Sequence, residues 1–156
     1  MIIYYDTRQK KGKHDKKHQQ ILSMGYELQP MALKIGDYMI EGNNSVSVDT
    51  KQNLGEVYSN IVNDKSRFMK EVRRAFENKV KLYVLIEHGG TIKTLNDVCD
   101  WKPKYGYLSG RDVMERLIAI HRAYGTEFLF CDKRVTGKKI VELLAQKNKD
   151  FLENEQ

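Results

Sequence analysis

Cysteine, proline and tryptophan are scarce in this chain: 156 residues hold two cysteines, two prolines and one tryptophan. The thiols, Cys99 and Cys131, fit reduced groups of a cytosolic protein better than a disulfide framework or a zinc site. No apolar run approaches the length of a membrane span, the longest being Leu82 to Ile86. No signal-peptide pattern precedes the first strand-like segment, Ile2-Ile3-Tyr4-Tyr5. Internal repeats, linkers and low-complexity tracts are also missing. These absences point to one soluble, cytoplasmic domain with a core of its own and no membrane partner.

Positive charge is in excess. The net charge is +6 and the pI about 9.2, which favours a polyanionic partner. The densest basic run lies between Arg8 and His18, with six lysines or arginines and one acid, Asp15. It reads either as a phosphate-contacting arm, with Lys10, Lys11 and Lys13 prominent, or as a solvated loop and helix start. His14 and His18 have the four-residue spacing of zinc ligands, but no third ligand is in view.

Strand-like and helix-like segments alternate. Ile2 to Tyr5 reads as a strand ending at Asp6, and His14 to Met24 as a helix stopped by Gly25. Tyr26 to Leu33 is extended and broken by Pro30. Leu54 to Val62 is a short helix. Lys65 to Asn78 is another, with Phe68, Val72, Ala75 and Phe76 at helical spacing. Lys81 to Glu87 is a buried strand. Thr94 caps a short helix reaching Trp101. Gly110 to Tyr124 is a long amphipathic helix stopped by Gly125. Glu127 to Cys131 is the last strand, and Thr136 to about Lys149 the last helix, before a frayed end. Met24, Met31 and Met39 are simplest as core filler. The order implies an α/β fold, a mixed sheet with helices on both faces.

The chemistry concentrates in Gly36-Asp37 and, twelve residues after Asp37, Asp49-Thr50-Lys51. Val46 to Lys51 alternates like a strand, so Asp49 and Lys51 project to one face. Tyr38 to Glu41 is the partner strand and Gly42-Asn43-Asn44-Ser45 the turn, which returns Asp37 to the side of Asp49. Two carboxylates can hold a hard cation such as Mg²⁺, and a lysine beside them can hold or deprotonate a water. Together they suit metal-assisted phosphodiester hydrolysis. Lys102, Lys104, Tyr105, Tyr107 and Arg111 interleave base and aromatic, as a nucleic-acid contact does and as a solvated loop also can.

With these residues in hand, the chain resembles the nuclease domain of the XPF-type structure-specific endonucleases, within the PD-(D/E)XK, restriction-endonuclease-like superfamily. Gly36-Asp37-Tyr38 matches the family's Gly-Asp-Tyr. Val48-Asp49-Thr50-Lys51 stands where the family has Val-Glu-Arg-Lys. Tyr5-Asp6-Thr7-Arg8-Gln9 matches a hydrophobic residue, Asp, any residue, Arg and Glu. Arg67-Phe68, Leu85-Ile86-Glu87 and Tyr124 to Phe128 also resemble family segments. The departures are Asp49 for Glu, Thr50 for Arg, Gln9 for Glu, and Gly55 where the family has Asp.

The resemblance implies a restriction-endonuclease-like mixed central sheet flanked by helices, a single nuclease domain over 1–150 and a tail over 151–156. It implies Mg²⁺ or Mn²⁺ held by Asp37, Asp49 and the carbonyl of Thr50, with Asp6 as an additional carboxylate and Lys51 acting on the attacking water. Arg8 and Arg67 are implied phosphate contacts, and Glu87 lies at the rim of the site. The expected activity is hydrolysis of DNA at branched, flap or fork structures. A Holliday-junction-type resolvase or a less selective nuclease is the near alternative, and a catalytically silent DNA-binding or assembly module the distant one. Many family members carry a helix-hairpin-helix module after this domain, for which no room follows here. That implies a phage or mobile-element setting, or a protein partner supplying specificity. Val113, Leu117, Ile118, Ile120, Ile140, Val141, Leu143 and Leu144 exceed one core stripe, which implies a homodimer.

Overall fold

The computed structural model describes residues 1–146. The expected course of the last helix to Lys149, the domain end at 150 and the tail over 151–156 lie outside the described residues.

The strands are β1 (Ile2–Asp6), β2 (Glu27–Met31), β3 (Tyr38–Ile40), β4 (Asn43–Lys51), β5 (Lys81–Ile86) and β6 (Glu127–Phe130). The helices are α1 (Asp15–Ser23), α2 (Leu54–Val62), α3 (Lys65–Glu77), α4 (Gly110–Tyr124) and α5 (Thr136–Leu144). The strands form one six-stranded sheet in the order β2-β1-β3-β4-β5-β6. β3 runs antiparallel to β1 and β4, while the β1–β2, β4–β5 and β5–β6 pairs are parallel. The mixed α/β architecture expected from the segment order is the one observed.

Each face of the sheet carries a core. Val84 and Ile86 pack with Leu54 of α2, Val72 of α3 and Val113 and Leu117 of α4. Leu85, Ile3 and Val48 pack on the other face with Ile21 of α1 and Ile140 and Leu144 of α5. Alternation along β5 sends successive side chains to opposite cores, so its whole run from Leu82 to Ile86 is buried. α4 begins with a reciprocal cap. The Asp112 N–H donates to Ser109 Oγ at 3.1 Å, and the Ser109 N–H to Asp112 Oδ2 at 2.9 Å. It ends at Gly125, whose φ of 72° is left-handed.

Several details differ from expectation. Pro30 does not break its segment but sits within β2, opposite Tyr5. β2 is the sheet edge, where a missing N–H interrupts no ladder. β4 starts at Asn43, which pairs with Ile40 across the tight Glu41-Gly42 turn. The segment after Thr94 winds as a 3-10 turn over Leu95–Asp100. Phe76 is 56% exposed, its ring edge-to-face with Tyr124 at 5.7 Å. Met24 and Met31 are exposed too, and so fill no core.

The apolar surplus assigned to a homodimer is largely consumed within one chain. Val113, Leu117, Ile140, Val141, Leu143 and Leu144 are all buried, and α4 and α5 serve opposite cores.

Candidate functional site

Three strands converge on one set of acids. Asp6 ends β1, Asp37 immediately precedes β3, and Asp49, Thr50 and Lys51 end β4. The Asp6 N–H donates to Asp37 O at 2.8 Å, and the Asp37 N–H to Val48 O at 2.8 Å. β3 spans three residues, and its pairing with β4 reaches no further than Val48. The Asp37 carboxylate takes over there. Its Oδ2 accepts from the Thr50 N–H at 2.9 Å and the Thr50 hydroxyl at 3.1 Å. In a strand, a residue's N–H and C=O point to one side, so the Thr50 carbonyl faces the same opening. The next carbonyl, that of Lys51, turns the other way and accepts from Glu87 N at 2.8 Å.

Asp49 and Lys51 share a face, as the period of two requires, with Lys51 Nζ 3.1 Å from Asp49 Oδ2. This is an ion contact, and Asp49 Oδ2 is buried without a hydrogen bond. Burial pushes the Asp49 carboxyl well above the usual range, the neighbouring Asp37 charge adds to this, and Lys51 only partly offsets it. Burial works against the Lys51 charge, but Asp49, Glu56 and Asp37 outweigh it and keep the ammonium above its ordinary pKa.

Glu71 of α3 is a third acid that the sequence did not single out. Its place four residues after Arg67 suits a surface ion pair, but its Oε1 accepts from Gly36 N at 3.0 Å. Burial, followed by the Asp49 charge, pushes it up to about 7. One turn on, Arg74 Nη1 donates to Lys34 O at 3.0 Å. α3 therefore clamps the turn that delivers Asp37. Gly36 has φ of +70°, and a Cβ there would collide with Ser47 Oγ, so this turn requires glycine.

Asp6 is present but occupied. Its Oδ2 accepts from Arg8 Nε at 2.8 Å and its Oδ1 from Leu33 N at 3.1 Å. Arg8 also donates to Leu33 O at 2.6 Å. Glu87 is not a free rim residue. It is buried, paired with Lys17 at 2.6 Å, and accepts from Thr136 Oγ1 at 2.9 Å. His14 and His18 stack at 6.1 Å, and His18 Nε2 lies 2.8 Å from Tyr38 Oη.

The acids lie in a cleft of about 690 Å³. Nine lysines and arginines line it against five acids; Lys17 and Lys51 are buried in ion pairs, and the other seven leave an excess of positive charge that suits a polyanion. Arg8, Lys10, Lys13 and Arg67 are among them, and Lys11 is not.

Among the described residues, no three His, Cys, Asp or Glu side chains close around a cation. Mg²⁺ does not need such a cage: it keeps waters and takes one or two carboxylates together with substrate phosphate. The Asp49 oxygen that accepts no hydrogen bond, beside Asp37, and the open Thr50 carbonyl fit that donor set, and a cation would relieve the carboxylate crowding.

No protein-family model matches the chain, and no curated protein matches it. Solved structures do. XPF from Aeropyrum pernix aligns with a TM-score of 0.69 at 17% identity, over 99% of this chain and 69% of that one. XPF from Aeropyrum pernix in complex with DNA aligns with a TM-score of 0.67 at 19% identity, over 99% of this chain and 65% of that one. At such identities the likeness is one of fold. The XPF-type fold expected from the motifs is the fold the chain has.

Proposed function

We propose that this chain is a divalent-metal-dependent DNA endonuclease acting at branched, flap or fork structures. The observation that carries the reading is the buried Asp49 Oδ2, which accepts no hydrogen bond and is set beside Asp37 and Lys51 in a cation-lined cleft. Crowded acids beneath a basic wall favour a cation below and phosphates above. The DNA in the complex of the fold neighbour supports the substrate class.

Asp37, Asp49 and the Thr50 carbonyl would hold Mg²⁺ or Mn²⁺. The bound ion supplies charge neutralisation at the phosphate and a water of lowered pKa. Arg67 and Lys70 of α3 and Arg8, Lys10 and Lys13 of the loop after β1 all line the cleft and would receive the DNA backbone. The Lys51 ammonium, held protonated by its acidic neighbours, orients the attacking water through its donors and stabilises the developing negative charge. Water oxygen bonds to phosphorus as the P–O3′ bond breaks, leaving a 5′-phosphate and, after proton transfer, a 3′-hydroxyl. Asp6 acts at one remove, fixing Arg8 and the Leu33 backbone. Glu71 is a positioning residue for Asp37 through Gly36.

The test is cleavage of labelled flap, fork and four-way-junction DNA beside plain duplex, with and without Mg²⁺. Cleavage that needs the metal and prefers branched substrates supports the reading. A chain that binds DNA and cuts none of these would be a binding module.

A further inference from the structure

The loop between the 3-10 turn and α4, 101–109, carries the two most exposed large hydrophobic side chains among the described residues. Tyr105 is 84% exposed and Tyr107 75%. Surface rings of this kind are ordinary on a loose loop, but this loop is anchored. Leu108 is buried, and its N–H donates to Tyr58 Oη at 2.9 Å. The Trp101 ring stands edge-on to Tyr58 with centroids 6.3 Å apart. Gly106, at φ of +90°, approaches Tyr58 so closely that any Cβ would strike its hydroxyl. One tyrosine of α2 thus fixes both ends and the middle of the loop, while its two phenol rings stand in water.

The charge within the loop is positive, although Asp100, just before it, lines the same surface pocket as Tyr107 and Arg111. From Trp101 to Arg111 there are three cations, Lys102, Lys104 and Arg111, and no acid. Of the acids just outside, Asp100 accepts from Cys99 Sγ at 3.7 Å and stays exposed, and two others face the backbone. Asp97 accepts from Lys93 N and Thr94 N, and Asp112 from Ser109 N. Glu115 meets Arg111 in an exposed pair at 3.3 Å, a weak restraint on that guanidinium. Flat, amphipathic rings spaced between cations suit a ligand with alternating π-faces and phosphates, rather than an aliphatic protein surface.

We propose that this loop binds single-stranded DNA, stacking unpaired bases on Tyr105 and Tyr107 with Lys102, Lys104 and Arg111 at the phosphates. The inference rests on the endonuclease reading and deepens it. Both places touch α2: Glu56 lines the cleft, and Tyr58, on another side of the helix, holds the loop. On the endonuclease reading, the unpaired arm of a flap or fork is the ligand such a loop would grip.

The test is fluorescence anisotropy with a labelled oligo-dT and a duplex of equal length. It is run in EDTA, at raised salt to weaken the phosphate contribution. The variants are Tyr105→Ala/Tyr107→Ala and Tyr105→Phe/Tyr107→Phe, each checked for an unchanged melting temperature. The alanine pair should weaken oligo-dT binding by at least about tenfold, as lost stacking does, and leave duplex binding within about twofold. The phenylalanine pair, which keeps the rings, should bind oligo-dT like the parent. Parental oligo-dT affinity in the alanine pair, or equal losses on duplex, overturns the inference. The readout needs no cleavage, so failure of the loop and failure of the endonuclease reading are separate results.

Discussion

Glu71 and Gly36 are joined across the cleft by a hydrogen bond of 3.0 Å from the glycine N–H to the carboxylate. The contact links helix α3 to the turn that presents Asp37, thirty-five residues earlier in the chain than Glu71. Gln at position 71 keeps an acceptor for that N–H, whereas Leu removes it. Glu71→Gln should retain cleavage within about tenfold, and Glu71→Leu should lose at least about a hundredfold in kcat with a smaller change in DNA affinity. Equal losses in both variants would mean that the carboxylate charge, not the turn, is what matters.

Metal binding should be visible without substrate. Asp49 lies crowded against Asp37, so Mg²⁺ should raise the melting temperature of the parent, by mass action on the folded state. Asp49→Asn, which keeps the shape and removes the charge, should lose most of that rise. Protons compete with the cation at raised carboxyls. With Glu71 near 7 and Asp49 also raised, the Mg²⁺ affinity should increase as the pH rises through neutrality. Isothermal titration at several pH values measures this, and a flat profile contradicts it.

The basic run can now be divided. Lys10 and Lys13 line the cleft, and Lys11 does not. Neutralising Lys10 and Lys13 should flatten the slope of log affinity against log salt by up to about 1.8 units, and neutralising Lys11 should barely change it. Equal effects from all three would return the run to a diffuse field.

Acid should destabilise the metal-free protein through α1. His14 and His18 are both held down to about 4, chiefly by desolvation, with Lys17 opposing charge on each and His14 on His18. Between about pH 6.5 and 4 the unfolded chain therefore binds protons that the folded one refuses. This contribution lowers stability as the pH falls through that window and levels below it. His18→Gln should reduce the slope of melting temperature against pH there, and an unchanged slope would contradict the assignment.

Much of this was legible in the sequence because it is local. Gly25 and Gly125 end helices, the Gly42 turn folds Tyr38–Ile40 back on β4, and the period of two puts Lys51 beside Asp49. What was missed depends on partners distant in sequence. Glu71 looked like the surface mate of Arg67, and its contact with Gly36 has no sequence signal. Glu87 is expected at the rim of the site, but α1 supplies Lys17, seventy positions away, as its buried partner. Six of the eight apolar positions of α4 and α5 expected at a homodimer are buried in the chain's own cores, because a helical stripe does not reveal that each helix has a sheet face to itself; Ile118 and Ile120 are half-buried. Pro30 looked like a break because edge position is a property of the whole sheet. Asp6 was found in its expected place, but the two contacts that occupy it come from Arg8 and the Leu33 backbone.

The most direct measurement is single-turnover cleavage of a labelled flap by the parent and by Asp49→Asn, each with Mg²⁺ and with EDTA. The account predicts cutting by the parent in Mg²⁺ alone, leaving 5′-phosphate ends. It predicts a loss of at least about a hundredfold in Asp49→Asn, with the fold and most of the DNA affinity kept. Near-parental cleavage by Asp49→Asn, or cleavage by the parent in EDTA, would contradict it.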